Sequence, residues 1–462
     1  MKNRFMEKAR ELPLFADCDV LVVGGGTAGI VAALAAARNG AKTVVVERNA
    51  YLGGTLINGA VILHSFFNMY KTVPGAPKIQ VVRGIAQEIV DRMVAAGGSL
   101  GHAEQEVGAS LYDPFITCID HEMFKQLAFE MMEEAGVELF MHTMMADVLM
   151  DEAGRLIRGV VVETKSGRGV ISAKTVIDTS GDADVAARAG AHCYDLHKDM
   201  GASMTFGLAN IEPSKSLEFV RQYEGMLFQL ARVDRGEGHD GIARLCFQVD
   251  KCPAFRDFIK ENPGLNRPKM VCVYEKDATY VNVTGVAVDS LDVRDATRAE
   301  IALRRQIATI VDFFRKNVPG FADCHVSWTA DGICVRKSRI VECEYDLSPQ
   351  EIENCARFED EVALFGYHDS TPRIIIKNAG FYGIPYRALL PKGLDNLFVA
   401  GRLITTNYQA HNSTRNTVAC MAEGQAVGTA AAMCAAQDVN TRALDVRILR
   451  EKLRADGAYL GD

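Results

Sequence analysis

Twelve cysteines are scattered through the 462 residues, and no two of them stand in a C-x-x-C pair. That absence excludes a redox dithiol of that kind and a local iron–sulfur signature. The thiols read instead as small buried hydrophobes, and no metal site is expected. A basic surplus is also missing: Lys and Arg number 51 against 59 Asp and Glu, a net charge of −8. Nucleic acid is therefore a poor partner, because no spare positive charge is available to neutralise phosphates. The opening MKNRFMEKARELPLF lacks the continuous apolar segment of a signal peptide, so the cytoplasm is the expected location. There is no low-complexity tract, heptad array or internal repeat, and no amphipathic basic helix suited to a membrane surface.

What the chain does have is concentrated between Asp19 and Arg48, in DVLVVGGGTAGIVAALAAARNGAKTVVVER. Val20 to Val23 form the β-branched apolar run of a strand buried on both faces. Gly24, Gly26 and Gly29 supply G-x-G-x-x-G spacing, a small-residue helix runs on to Arg38, and a second strand ends on Glu47. Gly24 permits a tight turn, Gly26 lets a pyrophosphate approach the backbone, and Gly29 allows close helix–strand packing. The helix N-terminus offers free N–H groups to the phosphates. Glu47 can accept from both ribose hydroxyls, which favours an unphosphorylated ribose. Val20 to Ala37 carry no charge, but the glycine turn and the immediate second strand argue against a membrane span. These features together predict a dinucleotide-binding unit.

Beyond it, Gly53-Gly54-Thr55 lies past the carboxyl end of the second strand, where open α/β sheets bind ligands. Helical spacing covers 79–96 and 121–135, and strands are expected at 137–140, 146–150, 157–164, 170–172 and 175–178. From about Tyr194 the composition changes, with a long helix predicted over Val293–Asn317 and strands at 242–249, 269–288 and 324–345. Leu397–Ala400 then returns to the first style, followed by an Ala- and Gly-rich helix over 416–436. The expected division is 1–194 with 376–462 for the dinucleotide and 195–375 for a substrate or cap domain.

Three segments carry a resemblance: Gly24–Glu47 with Gly53-Gly54-Thr55, TVIDTSGDADVA at 175–186, and NLFVAGRLITTNYQAHNSTRNTVACMAEGQAVGTAA at 396–431. They resemble FAD-dependent oxidoreductases of the glutathione-reductase type, and within these a bacterial family related to fumarate reductase and succinate dehydrogenase flavoproteins. The resemblance implies an α/β fold with a Rossmann-like FAD-binding domain and an inserted α+β cap. It implies that the dinucleotide is FAD, its ADP half held by Gly24, Gly26, Thr27, Ala28, Gly29, Glu47 and Arg48. Gly53, Gly54 and Thr55 would pass near the pyrophosphate and flavin, with Met145 near the adenine. Gly181, Gly401, Arg402 and Asn416 complete the expected cofactor set. One departure stands out. Relatives place an acid after the glycine matching Gly401, where this chain has Arg402.

Candidate chemistry lies in Tyr408–Asn416. His411 is expected to move a proton while flavin N5 moves a hydride, and Arg415 to hold an anionic substrate or the reduced ring's charge. The alternative for both is to cap the last helix and pair with the flavin. Arg336, Tyr386 and Arg387 are further candidates from the cap side, while for Arg339 a salt bridge between cap and base is preferred. His64 and His368 are weaker. Only one dinucleotide unit is visible, so electrons would enter or leave through the substrate, oxygen, a quinone or another redox protein. The expected function is hydride transfer between flavin N5 and a small polar or carboxylate-bearing molecule, by C=C reduction or C–H oxidation. A redox-neutral isomerisation is a third chemistry, and an FAD-binding tRNA-modification protein or a flavin-bearing electron-transfer subunit are alternatives of another class. The sequence is compatible with an oligomer.

Overall fold

Five parallel strands make the frame on which everything else is hung. Val20 to Val23 are at most 2% exposed, and the strand Leu14–Val23 is flanked by Thr43–Val46 on one side and Gly167–Asp178 on the other. Glu138–Phe140 extends the sheet beyond Thr43–Val46, and Leu397–Val399 pairs with Val176–Asp178. Residues 170–172 and 175–178, separate in the sequence reading, are one strand whose pairing with Leu14–Val23 runs through both. An antiparallel meander of Met144–Met150, Ile157–Thr164 and the first half of Gly167–Asp178 springs from the same sheet. The computed structural model describes residues 5, 8–59, 62–110, 113–195, 201–234, 241–262, 265, 270–273, 278–367 and 374–461.

Helix Thr27–Arg38 is buried over Thr27–Ala36, and Thr417–Gln437 packs along it. Both are apolar around most of their circumference, as a helix covered on all sides must be. A Cβ at Gly424 or Gly428 would overlap the backbone oxygens of Ala28 and Ala32, so the two helices touch main chain to main chain. The helix expected over 79–96 begins only at Ile85. Gly84 sits at φ +65°, and its missing Cβ leaves room for the amide of Gln425. Helix His121–Glu134 starts where Asp120 accepts from the N–H groups of Glu122 and Met123.

A second sheet has nine strands in the order 325–329, 206–209, 278–282, 270–273, 242–248, 227–232, 103–107, 115–118 and 62–64. Its last three strands come from the chain before residue 194, so the expected division at that point is crossed. Conversely Glu361–Phe365 pairs with Tyr382–Pro385, and Val362, Ala363 and Phe365 join the core of the first sheet. Helix Val293–Asn317, capped by Asp292, buries Leu303, Ile307, Ile310 and Phe314 against Phe206, Leu208, Leu245 and Phe247 of the second sheet. Among the described residues no helix is long and apolar enough to cross a membrane.

Candidate functional site

The glycine turn does three different things at three positions. Gly24 has φ +99°, a conformation open to glycine and strained for other residues. A Cβ on Gly29 would run into the carbonyl of Gly24, which fixes the helix tight against the strand end. At Gly26 the nearest atom to a Cβ is the Thr179 oxygen, 3.9 Å away, so a side chain there would fill open cleft rather than clash. Gly26 is also the N-cap of helix Thr27–Arg38, with no side chain capping it and no acid in its first turn. Unpaired N–H groups and the positive end of the helix dipole thus point at the space Gly26 leaves open. Gly53, at φ +114°, donates to the Gly25 carbonyl at 2.8 Å and accepts from the Thr27 hydroxyl.

Glu47 is 5% exposed and lines the same cleft. One carboxylate oxygen accepts from Gly25 N–H at 2.8 Å, and the other from the backbone and side chain of Asn49 at 2.8 and 2.7 Å. The oxygen that accepts from Gly25 keeps a lone pair for a further donor. Thr27, Ala28, Arg48, Gly54 and Thr55 lie along this wall.

The opposite wall is Thr179–Asp182 with Gly401 and Arg402. Asp178, fully buried, shapes it by accepting from Ser180, Val185 and Ala186, and burial raises its carboxyl to about 6. Arg402 lies against Gly181 and pairs with Asp182 at 3.2 Å, while its Nη1 is buried without a hydrogen-bond partner. Gly401 donates its N–H to Glu423 at 2.7 Å. Burial holds the Glu423 carboxyl well above the usual carboxylate range, and its other oxygen has no partner.

Helix Val293–Asn317 and the segments flanking it close the cleft with Ser290, Ala296, Glu300, Ile333 and Val335. The Ser290 hydroxyl is another buried group with no partner among the described residues. An uncapped helix end, an open Gly26, a buried carboxylate and orphaned Arg402 and Ser290 atoms are what an anionic, hydroxyl-rich dinucleotide would satisfy. The residues fit FAD.

Of the remaining expected residues, the structure brings Arg415 to the cleft and leaves others elsewhere. Arg415 directs Nε and Nη2 to Asn412 at 3.1 and 3.0 Å. Arg336 follows the lining residue Val335, and its Nη1 is buried without a hydrogen-bond partner. His411 is a correction. Its ring is fully buried and faces two backbone carbonyls, Ile404 at 3.1 Å and Arg336 at 3.4 Å, and it does not line the cleft. Burial, then the charges of Arg415 and Lys337, push its pKa down to about 3. A neutral, enclosed imidazole is a poor proton carrier near neutral pH.

Tyr386 and Arg387 are corrected as well. Tyr386, 3% exposed, donates its hydroxyl to the Thr441 carbonyl at 2.6 Å. Arg387 pairs with Asp360 at 2.9 Å and lies over the Tyr345 ring. Both stand away from the cleft because the strand before them pairs with Glu361–Phe365. Met145 is paired with Val162 in the meander, and Asn416 caps helix Thr417–Gln437 by accepting from Val418. Neither of these two lines the cleft. Arg339 reaches Asp184 at 3.4 Å, from one half to the other. His64 lies 3.5 Å from buried Asp113 and beside the Tyr367 ring, and His368 is outside the described residues. The sequence reading missed Asn49, Asn58, Ser290 and Glu300. Asn49 adjoins Glu47 and could have been found, whereas nothing in the local sequence marks Ser290 or Glu300.

The family described as FAD dependent oxidoreductase matches residues 19–453. A mitochondrial dihydrolipoyl dehydrogenase of Caenorhabditis elegans is 52% identical over 54 residues, 12% of this chain and 11% of that protein. A thiamine thiazole synthase of Sulfolobus acidocaldarius is 30% identical over 191 residues, 39% of this chain and 62% of the synthase. The chain thus spans under two thirds of either relative. Among solved structures, a p-nitrophenol 4-monooxygenase from Pseudomonas putida has a TM-score of 0.51 at 11% identity, covering 97% of this chain and 91% of that one. A myxobacterial chondrochloren halogenase of the FAD-dependent type has a TM-score of 0.50 at 12% identity, covering 95% and 78%. These likenesses speak to a shared mixed α/β FAD-binding fold.

Proposed function

The chain belongs to the FAD-dependent oxidoreductase family and is an FAD-dependent enzyme, and from that premise we propose hydride transfer between the flavin and a small polar or carboxylate-bearing organic molecule. The observation that carries the proposal is the cleft itself. It runs from the glycine turn and Glu47 past Arg402 and ends against the second domain beside Arg415. Bound FAD supplies a ring that accepts or returns a hydride at N5.

The protein's own residues do the rest. The amides at the start of helix Thr27–Arg38 and the Arg402 guanidinium hold the pyrophosphate, and Glu47 accepts from the ribose. The N-terminal end of helix Thr417–Gln437 lies at the cleft through Thr417 and Cys420, and it favours negative charge on the reduced ring. Arg415 adds a permanent positive charge at the same end and, with Arg336, draws a carboxylate toward the ring. A glutathione-reductase-type arrangement and kinship with fumarate reductases belong to this proposal. So does the substrate-covering role of the second sheet and its long helix. Only one glycine-rich strand–turn–helix unit occurs among the described residues, which supports an electron partner other than a second nucleotide bound to this chain.

The test is anaerobic. Purified holoprotein is mixed with a panel of organic acids, alcohols and enoates, the last after photoreduction, while the oxidised flavin band at about 450 nm is followed. Substrate-dependent bleaching or recovery is the expected result. A flavin that exchanges electrons with none of the panel, yet reoxidises readily with a quinone or a redox protein, would overturn the proposal in favour of electron transfer.

A further inference from the structure

A cavity of about 780 Å³ opens on the edge of the first sheet. Its walls are Phe15, Leu139–Thr143 and the hairpin tip Thr164–Ser166, and none of these residues lines the FAD cleft. Small-molecule sites have volumes of roughly 300–1,000 Å³, and this one falls among them. Glu138–Phe140 is the edge strand of the sheet. Edge strands usually turn charged side chains outward, which discourages pairing with other chains. Here three apolar residues in a row, Leu139, Phe140 and Met141, line the cavity and are only partly buried. The facing wall is preformed. The Phe15 ring lies against Gly169, where an added Cβ would come within 2.6 Å of it. The hairpin tip is folded on itself, the Thr164 hydroxyl accepting from Ser166 N–H and donating to the Gly167 carbonyl, both at 3.0 Å.

Charge selects the ligand. Among the described residues no carboxylate lines the cavity, although acids outnumber bases in the chain as a whole. Glu163, two residues before Lys165, is drawn to Arg168 at 3.8 Å. Lys165 and His142 both line the cavity, and neither side chain has a hydrogen bond or ion pair among the described residues. An exposed lysine alone says little. A lysine over an apolar hollow without acids complements a molecule with an anionic head and a flat apolar body.

One wall is shared with the coenzyme site. Phe140 accepts from Glu47 N–H at 2.9 Å, Thr143 donates to the Glu47 carbonyl at 2.9 Å, and His142 N–H reaches the Asn49 carbonyl at 3.3 Å. Glu47 is the carboxylate assigned to the ribose, and Asn49 donates to it. His142 sits at φ +52°, a strained conformation for a residue with a side chain, and these bonds hold it there.

We infer that this cavity binds a small aromatic carboxylate and that its occupancy tightens FAD binding. Lys165 pairs with the carboxylate, and Phe15, Phe140 and Met141 receive the ring. A ligand resting on Phe140–Thr143 restricts that segment, and with it Glu47 and Asn49, before the coenzyme arrives. FAD then loses less freedom on binding, and by linkage it strengthens the aromatic ligand by the same factor. The inference stands apart from the hydride-transfer reading, since it needs only that FAD binds.

Holoprotein is titrated calorimetrically with 2-naphthoate, with 2-naphthalenemethanol (no charge) and butyrate (no ring) as comparisons. Naphthoate binds at one site per chain, roughly tenfold or more tighter than either comparison, and leaves the flavin absorbance unchanged. Lys165→Glu, on an exposed hairpin tip, weakens that binding roughly tenfold or more with full FAD content. FAD release from diluted holoprotein, followed by the rise in flavin fluorescence, slows about threefold in saturating naphthoate for wild type and not for Lys165→Glu. Naphthoate binding that survives in Lys165→Glu, or that shifts the flavin spectrum, belongs to another site and overturns the inference. Absence of binding overturns it too, and FAD release indifferent to bound naphthoate overturns the coupling. None of these results touches the assignment of hydride transfer.

Discussion

Replacing Gly428 by alanine is the sharpest probe of how the two small-residue helices are joined. On an open helix the change would stabilise by about 1 kcal/mol, the difference in helix propensity between the two residues. Here the added Cβ would lie 2.8 Å from both the Cα and the carbonyl carbon of Ala32, and closer still to its oxygen. Carbon atoms in contact prefer about 3.5 Å or more, so the carbon contacts alone require the helices to part by at least about 0.7 Å along this seam. Backbone cannot swing aside as a long side chain can. Overpacking of this kind costs about 1–3 kcal/mol, which offsets the propensity gain and leaves a net loss of up to about 2 kcal/mol. Because Ala28 and Gly26 lie on the same helix, its N-terminal amides shift with it, and FAD binds more weakly. Urea unfolding of the holoprotein, together with an FAD titration of the stripped protein, measures both effects. Gly332→Ala is the comparison, since its Cβ would meet nothing nearer than 3.4 Å and its φ is not positive. A Gly428→Ala protein more stable than wild type would refute the main-chain contact.

Two buried titratable groups give opposite pH signatures. Burial raises the Glu423 pKa in the folded protein, so its contribution to stability is present at low pH and is lost as pH rises past the unfolded value near 4.5. Glu423→Gln keeps an acceptor for Gly401 N–H and should gain on wild type in melting temperature between pH 5 and pH 8. An advantage that stays constant over that range, rather than growing, would mean the folded carboxyl is already ionised. His411, held at about 3, behaves in the reverse sense: its contribution is present above 6.5 and is lost as pH falls toward the folded value. His411→Asn should therefore flatten the decline in melting temperature from pH 7 to pH 4 and leave no missing ionisation in a pH–rate profile between 5 and 8. A rate limb that vanishes in this variant would restore His411 to proton transfer.

The dinucleotide unit was legible because each glycine answers a local need that spacing alone expresses: Gly24 a positive φ, Gly26 an open approach, Gly29 a contact with the strand end. Helix Val293–Asn317 was legible to its end residues, since Asp292 caps one end and Pro319-Gly320 follow the other. The chemistry was harder. His411 sits in a polar stretch that looks exposed, and only the packing of Arg336 and Ile404 around it reveals an enclosed ring. Tyr386 and Arg387 looked like cap residues until their strand was seen paired with 361–365. Ala103–Val107 and Phe115–Cys118 are short, and the sheet they join is completed by strands more than a hundred residues later. Pairing over that distance leaves no periodic trace in the strands themselves.

The seam between helices Thr27–Arg38 and Thr417–Gln437 also orders events during synthesis. The glycine turn leaves the ribosome before its partners: the helix that braces it and strand Leu397–Val399, with Gly401 and Arg402 just beyond, emerge about 370 residues later. Until then the nascent chain carries half a coenzyme cradle, its buried strand edge unpaired beside Val176–Asp178. Coenzyme capture is thus a late step, and a ribosome stalled before residue 397 would hold an apoprotein with an exposed sheet edge, the kind of surface that chaperones engage.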